Sequence, residues 1–182
     1  MRLFVAIELS AEQKEAVRGA VEPWLHLPAK WARGEGLHLT LAFLGETPES
    51  RLVELGQRLD QVTAKHPPIR LALAGAGAFG DSSPRVLWLG ISGETARLNA
   101  LAAEVAARLG LPETPWTAHV TIARAKPRGG DPALDAVMKG LEGFRTAPFI
   151  APSVTLFESR GGQYFARHSA TLSGRDSPEQ VR

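Results

Sequence analysis

The sequence predicts an α+β fold: a bilobal, pseudo-two-fold structure in which two mainly antiparallel sheets are flanked by helices and enclose a central cleft. The order strand, helix, motif strand, helix, strand occurs twice, at about residues 2–80 and 85–172. The helices do not follow the regular spacing of βαβ units, and no glycine-rich phosphate fingerprint is present. A four-residue pattern of histidine, apolar, threonine, apolar also occurs once in each half. We therefore predict a single bilobal domain over residues 1–182.

The first half contains three predicted strands and two predicted helices. Ser10, with Gln13 three residues later, is typical of a capped helix start. Pro48 favours a second helix start, and Pro67 ends that helix. The predicted order is a strand at 3–8, a helix at 10–24, a motif strand at 37–44, a helix at 47–64, a strand at 69–73 and a glycine-rich loop at 75–81.

The second half repeats this order. Gly110 is a typical helix end, and the pair Gly161-Gly162 is typical of a hairpin turn. The predicted elements are a strand at 85–91, a helix at 94–109, a motif strand at 118–124, a basic loop at 126–130, a helix at 132–141 and hairpin strands at 154–158 and 164–172. Beyond Gly174 we expect a frayed tail.

The repeated pattern is His38-Leu39-Thr40-Leu41 and His119-Val120-Thr121-Ile122. With 5 histidines, 10 threonines and 44% apolar residues, chance predicts roughly 0.05 copies, so chance does not account for two. Because side chains alternate between the two faces of a strand, each motif presents its histidine and threonine on one face and its apolar anchors on the other. If the two halves face each other, both motifs line one cleft.

Two imidazoles in one cleft can divide a reaction, one acting as general base and the other, protonated, as general acid. Two threonine hydroxyls can donate hydrogen bonds to the oxygens of one phosphate. This combination suits in-line displacement at phosphorus without a metal or other cofactor. A metal site is the weaker interpretation, because the motif strands carry no clustered Asp, Glu or Cys. His26, His66 and His168 lack the pattern, and we interpret them as structural.

The chain has no cysteine, which excludes disulfides, thiolate nucleophiles and cysteine-based metal sites. No apolar run has the length of a signal peptide core or a membrane span, so we expect a cytoplasmic protein without membrane attachment. Of the 21 basic residues 16 are arginine, which suits phosphate recognition. Codon bias or a hot habitat would explain the same composition. We infer no obligate protein partner and expect a monomer.

The motifs and their flanks resemble the 2H phosphoesterases, in particular the bacterial and archaeal RNA 2',3'-cyclic phosphodiesterases first described as 2'-5' RNA ligases. The matching stretches lie at residues 2–7, 37–45, 85–90, 118–124 and 156–159. The resemblance implies hydrolysis of an RNA or nucleotide 2',3'-cyclic phosphate end to a 2'-phosphate, and it assigns His38 as proton donor and His119 as proton acceptor. Thr40, Thr121 and Arg124 would bind the phosphate.

Two local features of the sequence bear on the residue roles that the resemblance implies. Strict alternation places Arg124 on the face opposite His119, so its role requires the strand to end or bend near Ala123. Many relatives have proline where this chain has Thr117-Ala118, a departure that we expect to touch no catalytic group. The rings available to stack on a base are Trp31, Phe43, Phe79 and Tyr164, of which we assign Phe43 to the core.

Three other functions use the same residues. A 2'-5' RNA ligase would run the chemistry in reverse, with a 5'-hydroxyl in place of water. A noncatalytic RNA-end-binding module is a further alternative, which the arginine content motivates. A related enzyme of the same superfamily would act on a cyclic phosphate of ADP-ribose or of a nucleotide metabolite.

Overall fold

The computed structural model describes residues 1–176, and its main elements follow the predicted order. They are β1 (Arg2–Glu8), α1 (Ala11–Val21), β2 (Ala29–Trp31), β3 (His38–Glu46), α2 (Leu52–Thr63), β4 (Ile69–Phe79), β5 (Val86–Gly93), α3 (Thr95–Arg108), β6 (His119–Ala125), α4 (Ala133–Gly140), β7 (Phe149–Ala151), β8 (Ser153–Arg160) and β9 (Gln163–Thr171). The predicted cap at the start of α1 is present, since the Ser10 side chain accepts a hydrogen bond from the Gln13 N–H at 3.3 Å.

The strands form one curled sheet in the order β7-β4-β5-β6-β3-β1-β8-β9, and β2 adds to β6. Every strand pair within residues 1–176 is antiparallel, so the predicted α+β class is confirmed. The two predicted sheets are joined into one because β3 and β6 pair at Leu39 and Val120. On either side of this junction the strands correspond in pairs: β6 with β3, β5 with β1, β4 with β8 and β7 with β9. The sheet is therefore pseudo-two-fold.

The outer strands are exchanged between the two halves of the chain. β4 follows α2 in the first half but pairs with β5 of the second half. β8 follows α4 in the second half but pairs with β1 of the first. Each half of the sheet is therefore completed by a strand from the other half of the sequence, so the motif strands are held by contacts that span most of the chain.

The helices pack against one face of the sheet and leave the other face open. On β1, Leu3, Val5 and Ile7 are buried in the main core together with the apolar sides of the helices. Phe4 and Ala6 alternate with them and face the other way, where they pack with Phe157. The motif side chains lie on this open face, while their apolar neighbours anchor them in the core.

The predicted loop over 75–81 is wrong for most of its length, because β4 continues to Phe79. Gly75, at φ +71°, lies where the pairing of β4 with β5 shifts register, so the glycine allows a bulge rather than ending the strand. Gly77 lies directly opposite Trp88 and lets the indole ring lie against the backbone. The short strands β2 and β7 were not predicted.

The chain terminus adds little to the fold within the described residues. Arg175 and Asp176 belong to no helix or strand, and the Asp176 carboxylate lies 2.6 Å from the Arg97 guanidinium. The rest of the predicted frayed tail, residues 177–182, lies outside the described residues. Within residues 1–176 no helix is long and apolar enough to cross a membrane.

A substitution at Gly77 tests how the Trp88 ring on β5 packs against the backbone of β4. Gly77→Ala should lower the free energy of unfolding by about 1–3 kcal/mol, because the new Cβ would overlap the Trp88 ring. Gly19→Ala in α1 is the matched control: its Cβ meets nothing within 4 Å, so it should stabilise the protein by about 0.5–1 kcal/mol. Urea denaturation measures both. Equal stabilities for the two variants would contradict the packing described.

Candidate active site

A bulge on each motif strand turns the strand toward the cleft. On β3, Ala6 pairs with Thr40 while the preceding residue pairs with Ala42, so Leu41 is an extra residue. On β6, Trp88 pairs with Thr121 and Leu87 pairs with Ala123, so Ile122 is the extra residue. A bulge reverses the alternation of side chains beyond it.

The bulge on β6 places Arg124 on the same side as His119, so the bend on which its proposed role depends is present. The equivalent bulge on β3 brings Phe43 to the open face. Phe43 is 66% exposed, so its assignment to the core is wrong. The error has a physical cause. Simple alternation places residue 43 on the same face as the buried anchors Leu39 and Leu41, but the extra residue in the bulge moves it to the opposite face.

The two motifs lie side by side. Leu39 is directly opposite Val120, and extending this antiparallel register by one residue in each direction places His38 beside Thr121 and Thr40 beside His119. All five predicted site residues line one cleft of about 1180 Å³: His38, Thr40, His119, Thr121 and Arg124. The structure thus brings together residues that are separated by up to 86 positions in sequence.

Both catalytic candidates are oriented in the same way by backbone carbonyls. His38 Nδ1 lies 2.8 Å from the Glu35 carbonyl oxygen, and His119 Nδ1 lies 2.7 Å from the Thr117 carbonyl oxygen. Because a carbonyl only accepts, each Nδ1 must carry a proton, which leaves Nε2 of each ring for substrate. The contact to His119 comes from the backbone carbonyl of Thr117, which a proline would also provide, so the expectation about the Thr117-Ala118 departure stays a prediction.

The surroundings of the two histidines differ. The His38 ring lies 4.9 Å from Phe4 and 5.1 Å, edge to face, from Tyr164, measured between ring centroids. The His119 ring lies 5.0 Å from Phe79, edge to face, and 6.0 Å from Trp88. Both rings are thus held by aromatic neighbours, and each side of the cleft uses different ones.

Charge distinguishes the histidines further. On β1 the residue opposite His38 is Glu8, and the equivalent residue on β5, opposite His119, is Gly90. The Glu8 carboxylate accepts a hydrogen bond from the Thr155 hydroxyl at 2.9 Å. A carboxylate is therefore fixed beside His38, and the equivalent position beside His119 carries no side chain.

Burial lowers the pKa of His38, and nearby groups act in both directions. The backbone hydrogen bond and the carboxylate of Glu35 oppose this decrease, as does the carboxylate of Glu8 more weakly. The positive charge of Arg124 adds to it, because it disfavours the imidazolium form. In the free protein burial thus biases the ring toward its neutral form, and an anionic ligand would oppose that bias.

Four cationic side chains line the cleft: Arg2, Lys30, Arg33 and Arg124. None of the four lies within 4.0 Å of a carboxylate in the part of the chain that the structure describes. The place of Lys30 in the cleft has no signal in the local sequence, because its approach to Arg124 depends on a pairing between segments 94 residues apart. The carbonyl contacts of the two histidines also have no signal in the sequence.

The other histidines contact groups elsewhere. His66 Nε2 lies 2.7 Å from the Glu104 carboxylate, and His168 Nε2 lies 2.9 Å from Asp60. His26 Nδ1 lies 3.1 Å from the Pro23 carbonyl oxygen. Over residues 1–176, no three His, Cys, Asp or Glu side chains are grouped so that they could hold a metal ion.

Comparison with known proteins identifies relatives of this chain. The family model described as the 2'-5' RNA ligase superfamily matches residues 10–163. The chain is 35% identical over 164 residues to an RNA 2',3'-cyclic phosphodiesterase of Geobacillus stearothermophilus, a match that covers 86% of this chain and 51% of that protein. The chain thus spans about half the length of this relative.

A second relative and a solved structure cover more of their own length. The chain is 35% identical over 144 residues to an RNA 2',3'-cyclic phosphodiesterase of Archaeoglobus fulgidus, covering 76% of this chain and 80% of that protein. The crystal structure of E. coli LigT complexed with 3'-AMP superimposes with a TM-score of 0.73 at 27% identity, covering 94% of this chain and 98% of that one.

The electrostatics of His38 can be tested by NMR titration of its ring protons. Arg124→Gln should raise the pKa of His38, because it removes a positive charge that opposes protonation. Glu35→Gln should lower the pKa, because it removes a carboxylate that favours protonation. Lys139→Gln, which removes an exposed charge on α4, should leave the titration unchanged. A pKa of His38 that falls in Arg124→Gln would contradict this description of the site.

Proposed function

The chain belongs to the 2'-5' RNA ligase superfamily, and we propose that it hydrolyses RNA 2',3'-cyclic phosphate ends to 2'-phosphates by paired-histidine acid–base catalysis. The resemblance inferred from the motifs is thereby confirmed at the level of the family. One observation carries the proposal: two histidines, both oriented by Nδ1 contacts to carbonyls, line the same cleft beside two threonines and an arginine.

The phosphate would be bound between the two motif strands. The hydroxyl groups of Thr40 and Thr121 donate to its nonbridging oxygens, one from each strand. Arg124 donates charge-assisted hydrogen bonds to the same group, and these are stronger than bonds between neutral groups. Since all these donors are held on paired strands, they are preorganised for the charge that develops during displacement.

Hydrolysis then requires one proton to be removed and one to be supplied. His119 Nε2 takes a proton from water as the water oxygen attacks phosphorus. The bond from phosphorus to the 3' oxygen breaks, and the protonated His38 gives its Nε2 proton to that oxygen. The products are a 2'-phosphomonoester and a free 3'-hydroxyl, and the histidines return to their starting states by exchanging protons with solvent.

The charges around His38 support its role as the acid. Glu8 and Glu35 both favour its imidazolium form, and no carboxylate is equivalent to Glu8 opposite His119. The negative charge of the bound phosphate would favour the imidazolium form further. Substrate binding would thus raise the pKa of His38, which burial lowers in the free protein.

The same site is compatible with 2'-5' ligation, the activity for which the family model is named. A 5'-hydroxyl would replace water as the nucleophile: His119 would take its proton, His38 would protonate the departing 3' oxygen, and a 2'-5' phosphodiester would form. Because water is abundant in an open cleft, hydrolysis dominates unless a bound RNA end excludes it.

We also propose that the chain acts as a single bilobal unit and as a monomer. We propose the cytoplasm as its compartment, because a cysteine-free protein needs no oxidising environment.

Removing either histidine tests the reaction directly. His38→Ala and His119→Ala should each lower the kcat for adenosine 2',3'-cyclic phosphate by about 10²–10⁴-fold, because each removes one proton transfer. His26→Ala is the control and should keep full activity. EDTA should have no effect on the wild-type rate. Wild-type activity in either motif variant would contradict the proposal, and binding of RNA ends without any hydrolysis would favour a noncatalytic module.

The division of roles needs a separate test. In a substrate whose 3' oxygen is replaced by sulfur, the leaving thiolate needs no proton. On this substrate His38→Ala should recover a rate within about tenfold of wild type, since general acid catalysis becomes dispensable. His119→Ala should remain inactive, because water must still be deprotonated. Recovery by His119→Ala instead would reverse the assignment of acid and base.

A further inference from the structure

The cleft contains a second cationic position beside Arg124. β2 pairs with β6 in an antiparallel register that places Lys30 directly opposite Arg124. Directly opposite side chains in such a pair project from the same face, with Cβ atoms about 4.5–5.5 Å apart. Both side chains line the cleft, as the common face requires.

Two like charges in this arrangement repel each other and are destabilising. Within residues 1–176 neither Lys30 nor Arg124 has a carboxylate within ion-pair distance, although carboxylates pair with basic residues elsewhere in the chain. The acidic side chain that lines this cleft, Glu35, is engaged by Lys14 at 3.3 Å. The repulsion is therefore not compensated by the protein, which indicates an anionic ligand at this position.

The position lies beyond the motif residues along β6. β3 contacts β6 at Val120, between His119 and Thr121, whereas β2 contacts it from Ala123 to Ala125. Lys30 therefore lies at the level of Arg124, three residues beyond Thr121 along β6. A phosphate held by the two motifs leaves Lys30 free to contact a neighbouring phosphate.

We propose that Lys30 binds the phosphodiester on the 5' side of the terminal nucleotide, so that the cleft holds two successive phosphates of an RNA end. The proposal rests on the proposed function, because it takes the cyclic phosphate to be bound at the motifs. It predicts that the protein distinguishes an RNA end from a nucleoside cyclic phosphate, which carries no 5' phosphate. Lys30 thus acts in specificity for substrate length and not in the chemical step.

Binding of two reaction-product analogues separates the two positions. Adenosine 2'-monophosphate carries only the phosphate that the motifs would hold, and adenosine 2',5'-bisphosphate adds a phosphate on the 5' side. Isothermal titration would compare wild type with Lys30→Gln. Lys139→Gln is the matched control, since it removes one exposed lysine charge from α4, away from the cleft.

Lys30→Gln should weaken bisphosphate binding by about five- to tenfold, the size expected for a partly exposed charged hydrogen bond. Binding of the monophosphate should change less than about twofold by the same reasoning. For an RNA oligonucleotide ending in a 2'-phosphate, the slope of log Kd against log salt should fall by about 0.7, the value for one phosphate contact on a single strand. Lys139→Gln should match wild type in every measurement.

If Lys30→Gln weakened the binding of both ligands equally, the proposal would be overturned. Lys30 would then contact the 2'-phosphate or act only through the overall electrostatic potential of the cleft. Unchanged binding of both would overturn it as well, as would a failure of wild type to bind either ligand at millimolar concentration. Hydrolysis of cyclic phosphate without selective loss in Lys30→Gln would refute this proposal alone. Selective loss in a protein that hydrolyses no cyclic phosphate would refute the proposed function alone.

Discussion

The pairing of Leu39 with Val120 is the constraint on which the cleft depends. It joins the two halves of the sheet at the residues that follow the two motif histidines. Both anchors are fully buried, so the strands can separate only by exposing the core. Because outer strands are exchanged between the halves, neither half of the sheet is complete without strands from the other. The relative position of the histidines is thus set by the fold as a whole rather than by a flexible loop.

Unequal side chains at equivalent positions make the cleft directional. The bulges on β3 and β6 have the same form, but they present Phe43 on one side and Arg124 on the other. Glu8 beside His38 corresponds to Gly90 beside His119, and Trp88 fills the space where β1 has Ala6. An asymmetric phosphate ester can therefore bind in one preferred direction. That preference allows two histidines with the same local geometry to act as acid and base.

Much of this arrangement could be predicted from the sequence, for definite physical reasons. The strands and helices carry clear periodicity and caps, as at Ser10, and the repeated motif identifies the residues that meet in the cleft. The errors arise where a tertiary contact overrides a local pattern. A single inserted residue moved Phe43 to the surface, and pairing with β5 extended a glycine-rich segment to Phe79. The Thr117 carbonyl and Lys30 act through backbone geometry and long-range pairing, which no local pattern encodes.

The central claim is that two motifs from opposite halves of the chain act on one phosphate. A crystal structure of the protein with adenosine 2'-monophosphate measures this most directly. We expect Nε2 of both His38 and His119 within about 3.2 Å of oxygens of the same phosphate or of the adjacent 3'-hydroxyl. Thr40 and Thr121 should donate to that phosphate from either side. A phosphate bound by only one motif, with the other histidine beyond hydrogen-bond reach of the nucleotide, would contradict the account.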